Sequence, residues 1–226
     1  MTDEKAITNT ETALFEVKGL FASGMSQPVH LKVLAGQVWM VVGASGTGKS
    51  QFLKSLADLI EHEGEVLLKG TNQQVIAPNQ WRKQVMYFAA ETAWWCDSVV
   101  AHFDSPPDKA LLNSIGLPFD ILQKNPDDCS SGEKQRLALL RGLSYQPSVL
   151  LLDEITANLD TEASIKVEQL LQNYLETPAL NAQTGGEKKF LPPQKAIIWV
   201  SHDVAQRQRM ASEGRLLVFK EAGGIL

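Results

Sequence analysis

Gly43-Ala44-Ser45-Gly46-Thr47-Gly48-Lys49-Ser50 sets glycines, a lysine and a hydroxyl in the register of a loop that wraps a phosphate chain. Such a loop must curl until several backbone N–H groups point at one anion, through dihedrals and close approaches that a Cβ would obstruct. Lys49 is then in reach of β- and γ-phosphates, and Ser50 can offer its hydroxyl to a magnesium ion. A helix that begins here adds the positive end of its dipole. Three more groups could do chemistry. Asp153 and Glu154 end the apolar run Ser148–Leu152, where active sites of open α/β sheets lie, although a carboxylate there can also be a helix cap. His202, in Ser201-His202-Asp203, ends a second apolar run, either as a plain surface histidine or as a sensor of the γ-phosphate. Cys129-Ser130-Ser131-Gly132-Glu133 precedes Leu137–Leu143, a helix; it reads as a second anion-binding end or as an ordinary N-cap.

These groups need a sheet to hold them. Gln37–Val42 reads as a buried strand before the loop, and Gln51–Ile60 as an amphipathic helix after it. Leu14–Phe21 and His30–Leu34 read as strands that pair, and Phe21 is either core or an aromatic ring in reach of a nucleotide base. Gly64–Gly70 is a short strand bounded by glycines, and Gln84–Phe88 is read as a central one. From Ala89 to Asp128 four prolines break the pattern into short helical pieces, which suggests a small helical subdomain inserted into the core. Within it Trp94-Trp95 is either core or a docking surface. Thr161–Leu175 reads as an amphipathic helix, Ala196–Val200 as a buried strand, and Leu216–Lys220 as the strand that closes the sheet. Met1–Thr12 reads as loose, 178–194 as a long mobile loop, and the glycine-rich tail as frayed.

Composition narrows the function classes. With 226 residues, 44% hydrophobic and 21% charged, the chain has ordinary globular values and enough length for one large domain. A net charge of −5 argues against nucleic acid as the main partner, since affinity there comes from a basic surface. The two cysteines, Cys96 and Cys129, are far apart, which indicates neither a metal knuckle nor a disulfide framework and suggests a reducing compartment. The first residues show no secretory signal, and no apolar run approaches the roughly twenty residues of a membrane span. A second chain would have to supply any span.

The phosphate loop, the Ser-Ser-Gly-Glu-Lys-Gln-Arg segment, the Asp-Glu strand end, Ala157-Asn158-Leu159-Asp160 and Ser201-His202-Asp203, in this order, resemble the ATP-binding subunit of ABC transporters. The resemblance runs from about Leu14 to Phe219. Around Cys129–Asp160 it looks most like the ATP-binding subunit of a bacterial iron exporter. The resemblance implies an α/β phosphate-loop ATPase core with a mixed, mainly parallel sheet flanked by helices, an N-terminal antiparallel β part and an inserted helical subdomain. A core of 13–88 and 145–220 with the subdomain at 89–144 is expected. It also implies ATP and Mg2+ as ligands. Gly43, Ala44, Ser45, Gly46, Thr47, Gly48, Lys49 and Ser50 would wrap the phosphates, and Phe21 would stack on adenine. Asp153 would hold magnesium through water, as Ser50 would directly, and Glu154 would be the general base, with His202 and Lys49 on the γ-phosphate. Ser130, Ser131, Gly132 and Glu133 would close over the ATP of a second copy, and Asp160 would tie the two sites of that homodimer together. The further partner would be a separate transmembrane permease, which places the chain on the cytoplasmic face of the inner membrane.

Two departures stand out. Tyr87-Phe88-Ala89-Ala90 lacks the family's glutamine, and Glu91 beside it is the candidate replacement. Ser131 adds a side chain where the family has glycine. These leave room for a second reading, a soluble nucleotide-switched module without transport. Cys129, beside a helix start, is either a buried inert thiol or, with a lowered pKa, an oxidant sensor.

Overall fold

A computed structural model describes residues 12–177, 194–211 and 214–220, with the backbone of 179–180 and 190–191. The loose N-terminus, most of the 178–194 loop and the frayed tail expected from the sequence lie outside these described residues.

Two sheets share one core. The first is antiparallel, in the order β2 (Val29–Val33), β1 (Phe15–Phe21), β4 (Glu63–Leu68), β5 (Thr71–Asn72). The second is parallel throughout its five strands and contains β3 (Val38–Gly43), β6 (Val85–Phe88), β7 (Val149–Asp153), β10 (Ala196–Val200) and β11 (Leu216–Phe219). Its order is β11-β3-β10-β7-β6. Strand β6 is therefore an edge strand, not the central one expected, while β11 closes the other edge as expected. A parallel sheet needs cover on both faces, so its strands read as continuous apolar runs. Every residue of β7 and β10 is buried. Each large side chain among them adds about 1.5–3 kcal/mol relative to exposure.

The connecting helices are α1 (Lys49–Leu56), α2 (Pro78–Gln84), α3 (Lys109–Ser114), α4 (Ser131–Leu143), α5 (Thr161–Glu176) and α6 (Val204–Met210). Alternation along β7 sorts their packing. Val149 and Leu151 face a core with Phe52, Leu53 and Leu56 of α1 and with the antiparallel sheet. Leu150 and Leu152 face the other layer, with Leu139 and Leu143 of α4 and Val167 and Leu171 of α5. A third cluster, including Leu112, Ile115, Ile121, Leu137 and Leu140, lies within 99–140.

Helix α1 stops at Leu56, four residues before the expected Ile60. Asp58 adopts a left-handed φ of 58°, and the Leu59 N–H bonds back to the Lys54 carbonyl at 2.9 Å, a closing turn that ends a helix. Arg82 from α2 then bonds the Asp58 carbonyl at 2.6 Å. Two short strands, β8 (Ala179–Leu180) and β9 (Phe190–Leu191), pair antiparallel inside the stretch read as a loop. Among the described residues no helix is long and apolar enough to cross a membrane.

Candidate functional site

The phosphate loop leaves β3 and enters α1 in the strand–loop–helix setting its sequence requires. Glycine is obligatory at both ends. Gly43 has φ 153°, and a Cβ there would collide with the Phe219 carbonyl; Gly48 has φ 92°, and a Cβ would come 2.6 Å from the Gly24 carbonyl. Between them Ala44, Ser45 and Gly46 are exposed. The Thr47 hydroxyl donates to the Ala44 carbonyl at 2.9 Å. Lys49 is 6% exposed, and its ammonium donates to the Gly43 and Ala44 carbonyls at 2.9 and 2.7 Å. One cation thus folds back over the loop that it follows.

Parallel pairing brings the other strand ends to the same edge. In the register Val200↔Val41 and Val200↔Asp153, strands β3, β10 and β7 finish level with one another. Asp153, 6% exposed, shares a face with Leu151, the side that carries α1. Its Oδ2 accepts a 2.7 Å hydrogen bond from the Tyr87 hydroxyl. Burial of that phenol, the hydrogen bond and the Asp153 charge all push the Tyr87 pKa up. Glu154, the next residue, has φ 53°, a left-handed conformation that costs a non-glycine residue about 1–3 kcal/mol. Its N–H is tied to the Val200 carbonyl at 3.1 Å. The turn aims its carboxylate at His202, whose Nε2 lies 3.1 Å from Glu154 Oε1. Both side chains reach solvent beside a cleft of about 250 Å³.

Polar bonds fix the helices behind this pair. Asp203 caps α6 by accepting from Ala205 and Gln206 N–H. Glu168 of α5, fully buried, accepts from Arg209 at 2.7 and 2.8 Å and from Gln206 at 3.0 Å. Thr156 in turn donates to Gln206 at 3.1 Å. The segment after Glu154 is thereby tied to the helix after His202.

Ser130, Ser131, Gly132 and Glu133 lie elsewhere, at the start of α4. Ser130 and Glu133 form a reciprocal capping box: the Ser130 hydroxyl accepts from the Glu133 N–H at 3.2 Å, and Glu133 Oε2 accepts from the Ser130 N–H at 2.7 Å. Burial acts to raise the Glu133 pKa, but the bonds from Ser130, with Lys124 and Arg136 nearby, outweigh it and hold the carboxyl below its ordinary value. Ser131 is exposed. A Cβ on Gly132 would come 3.0 Å from Leu159 and 3.3 Å from the Asn158 carbonyl, so this helix start packs on Asn158 and Leu159. Asp160 itself caps α5, accepting from the Ala163 N–H at 2.8 Å.

Phe21 ends β1 half-buried against the core beneath the antiparallel sheet, and Gly24, three residues on, touches Gly48. Glu91 is exposed and lines a different cleft, of about 360 Å³, with Tyr87, Trp95, His102, Arg141 and Tyr145. No described group of the phosphate-loop edge bonds it. Trp94 and Trp95 stack edgewise on His102, with ring centroids 4.8 and 4.7 Å away, and the Arg141 guanidinium lies over both indoles at 4.7 and 4.8 Å. His102 Nε2 accepts from the Trp95 and Cys96 N–H groups, so Nδ1 carries the proton and donates to the Ser98 carbonyl. Trp94 is half-buried core, whereas Trp95 is 69% exposed. Cys129 is buried, and burial with the Glu133 charge pushes its pKa up against Lys124 and Lys134. The lowered pKa of an oxidant sensor is overturned.

The donors at the loop edge suit magnesium, a hard cation held by one or two oxygen ligands together with phosphates and waters. Asp153 Oδ1 and the half-buried Ser50 hydroxyl accept or donate no hydrogen bond within the described residues, and no cluster of three or more His, Cys, Asp or Glu side chains offers a different metal site among them. The sequence did not single out Tyr87 for this edge.

The profile of the ABC transporter family matches residues 26–157. The chain is 33% identical over 187 residues to the "Probable iron export ATP-binding protein FetA" of Escherichia coli (strain K12), covering 77% of this chain and 76% of that one. It is 31% identical over 204 residues to the thiamine import ATP-binding protein ThiQ of Aliivibrio fischeri, covering 82% and 83%. The fold matches the dimeric ADP- and phosphate-bound cassette MJ0796 with TM-score 0.70 at 19% identity, over 92% of this chain and 95% of that one. It also matches a bacterial Atm1-family exporter with ATP bound, TM-score 0.71 at 18% identity, spanning 94% of this chain but 38% of the exporter. The chain belongs to the ABC transporter family as an ATP-binding, ATP-hydrolysing subunit.

Proposed function

We propose that this subunit drives a separate transmembrane partner by closing on a second copy of itself around ATP, with metal-ion export, of iron in particular, as its transport. The observation that carries the catalytic part is the Glu154–His202 pair, 3.1 Å apart at neighbouring strand ends. Glu154 takes the proton of the attacking water, His202 and Lys49 bind γ-phosphate oxygens, and the loop N–H groups hold the chain of phosphates. A positioned base of this kind is worth about 10²–10⁴ in rate. Ser50 and Asp153 would hold magnesium, which would supply positive charge against the phosphate oxygens. Phe21, close to the loop through Gly24, takes the base. The first-turn N–H groups of Ser131 and Gly132 have no helical partner, as at any helix start. Together with Ser130 and Glu133 they meet the γ-phosphate of the second copy. Asp160 follows Asn158 and Leu159, which sit against Gly132, and ties the two sites together. Residues 89–144 then move as the helical subdomain that carries this edge.

We assign the transmembrane partner to the cleft at Trp95, because exposed tryptophan beside arginine is the composition that anchors interfaces. The test is extraction of the full chain from membranes in mild detergent. A multi-span protein should co-purify with the wild type and be lost with Trp95→Ala; a clean dimer without a membrane partner would favour the soluble module. Cargo rests on the FetA relative, itself only 33% identical. Cells lacking this chain should accumulate iron, and unchanged iron content would remove the iron reading while leaving the ATPase reading intact.

A further inference from the structure

We propose that Tyr87 is a positioning residue for Asp153, holding one carboxylate oxygen so that the other stays turned toward the phosphate loop. Strands β6 and β7 run parallel with Tyr87 opposite Leu151 and Phe88 opposite Leu152. Alternation then puts Tyr87, Leu151 and Asp153 on one face, the face that carries α1, while Phe88 and Leu152 point to the other layer. From there the phenol reaches across to Oδ2 at 2.7 Å. A bond of that length to a carboxylate is charge-assisted and stronger than a neutral one.

Within the described residues this is the hydrogen bond that sets the carboxylate's rotation. The final torsion of an aspartate is broad on its own, so in a bare Asp153 neither oxygen would keep one direction. The donor is itself held. Gln135 Nε2 of α4 donates to the Ala89 carbonyl at 3.0 Å, just past the strand end. Gly142, also on α4, leaves room for the Phe88 ring, which an added Cβ would strike. Two contacts from one helix thus clamp the end of β6 just past the residue that steers Asp153. The Ala89-Ala90 pair that follows supplies no polar side chain to this edge, so the steering falls to the strand.

The inference rests on the reading of Asp153 as the carboxylate that holds magnesium through water, and the experiment separates the two. Binding of a fluorescent ATP analogue to the full chain is followed as magnesium is titrated, and again in EDTA. Tyr87→Phe removes one oxygen and keeps the ring. We expect its magnesium midpoint to rise about tenfold, the size of one lost charged hydrogen bond, while binding in EDTA is unchanged. Asp153→Asn should raise the midpoint further, and adding Tyr87→Phe to Asp153→Asn should change nothing more. An unchanged midpoint in Tyr87→Phe beside a shifted one in Asp153→Asn overturns the role of Tyr87. No shift in either removes the reading of Asp153 and the proposal with it. The double variant keeps the result interpretable if Tyr87→Phe costs stability: independent shifts that simply add overturn the proposal.

Discussion

The strand-end half of the candidate site and its helix-start half are built on opposite plans. At the strand ends Lys49, Asp153, Glu154 and His202 come from three elements spread over more than 150 residues and are aligned by one parallel sheet. At the start of α4 Ser130, Ser131, Gly132 and Glu133 are consecutive, and the two with bonding side chains satisfy each other. The first half depends on tertiary register and stores backbone strain at Glu154; the second is a local cap that any α-helix could carry. One region is specialised through its position, the other through the surface it leaves open beside Asn158 and Leu159. On the proposed function, a half-site made this way would be completed by a second copy.

That contrast predicts different kinds of damage, beginning with the largest. Glu154→Gln should lower steady-state ATP turnover by about 10²–10⁴ with little loss of folding stability, and light scattering should show an ATP-dependent dimer. A chain that remains monomeric in saturating MgATP would break the idea that the helix start completes a second copy's site.

Arg209→Ala should cost roughly 3 kcal/mol in urea unfolding, because it strips the main partner from the buried Glu168. It should also loosen α6 and slow turnover, showing that the strand-end half is supported from behind. A loss below about 1 kcal/mol, the scale of a surface pair, would say that the network is incidental.

Ser130→Ala should cost about 1 kcal/mol of stability, the price of a helix cap. Nucleotide binding by the monomer should be unaffected, while the ATP-driven dimer of the Glu154→Gln chain should weaken. The smallest effect is a pH dependence. Glu133 is held below the ordinary carboxylate pKa in the folded chain, so its stabilisation is complete above the unfolded value and fades as pH falls through the lowered one. The stability gap between wild type and Glu133→Ala, measured by thermal unfolding, should therefore shrink in acid and stay constant from neutral pH upward. A gap that grew in acid would mean that the cap is not held by the ionised carboxylate.

Much of the strand-end half was legible because its signals are local. Glycines 43 and 48 are demanded by backbone geometry at their own positions, and a strand that is buried on both faces must be apolar until it ends. The capping box is half legible: a serine three residues before a glutamate reads as a cap, but the same residues read equally as an anion site. Tyr87 was not, since its bond to Asp153 joins residues 66 apart and follows from strand order and register. The edge position of β6 follows from strand order in the same way, whereas the αL turn at Asp58 that ends α1 early is a local closure held by Arg82 from α2. Trp94 and Trp95 look equivalent in sequence. Both meet His102 and Arg141, and only the packing of Trp94 against the cluster within 99–140 separates a half-buried ring from one left in solvent.

The sequence by itself determined the phosphate loop, the apolar strands that end in Asp153, Glu154 and His202, and a helix beginning at Ser130. Each is set by covalent geometry or by a period of apolar residues within a few turns of chain. Only the tertiary structure decided that these ends lie level, that Glu154 turns toward His202, and that a tyrosine on the outer strand steers Asp153. Those relations depend on which strands are neighbours and in what register, which follows from burying both faces of one sheet at once and not from any short segment.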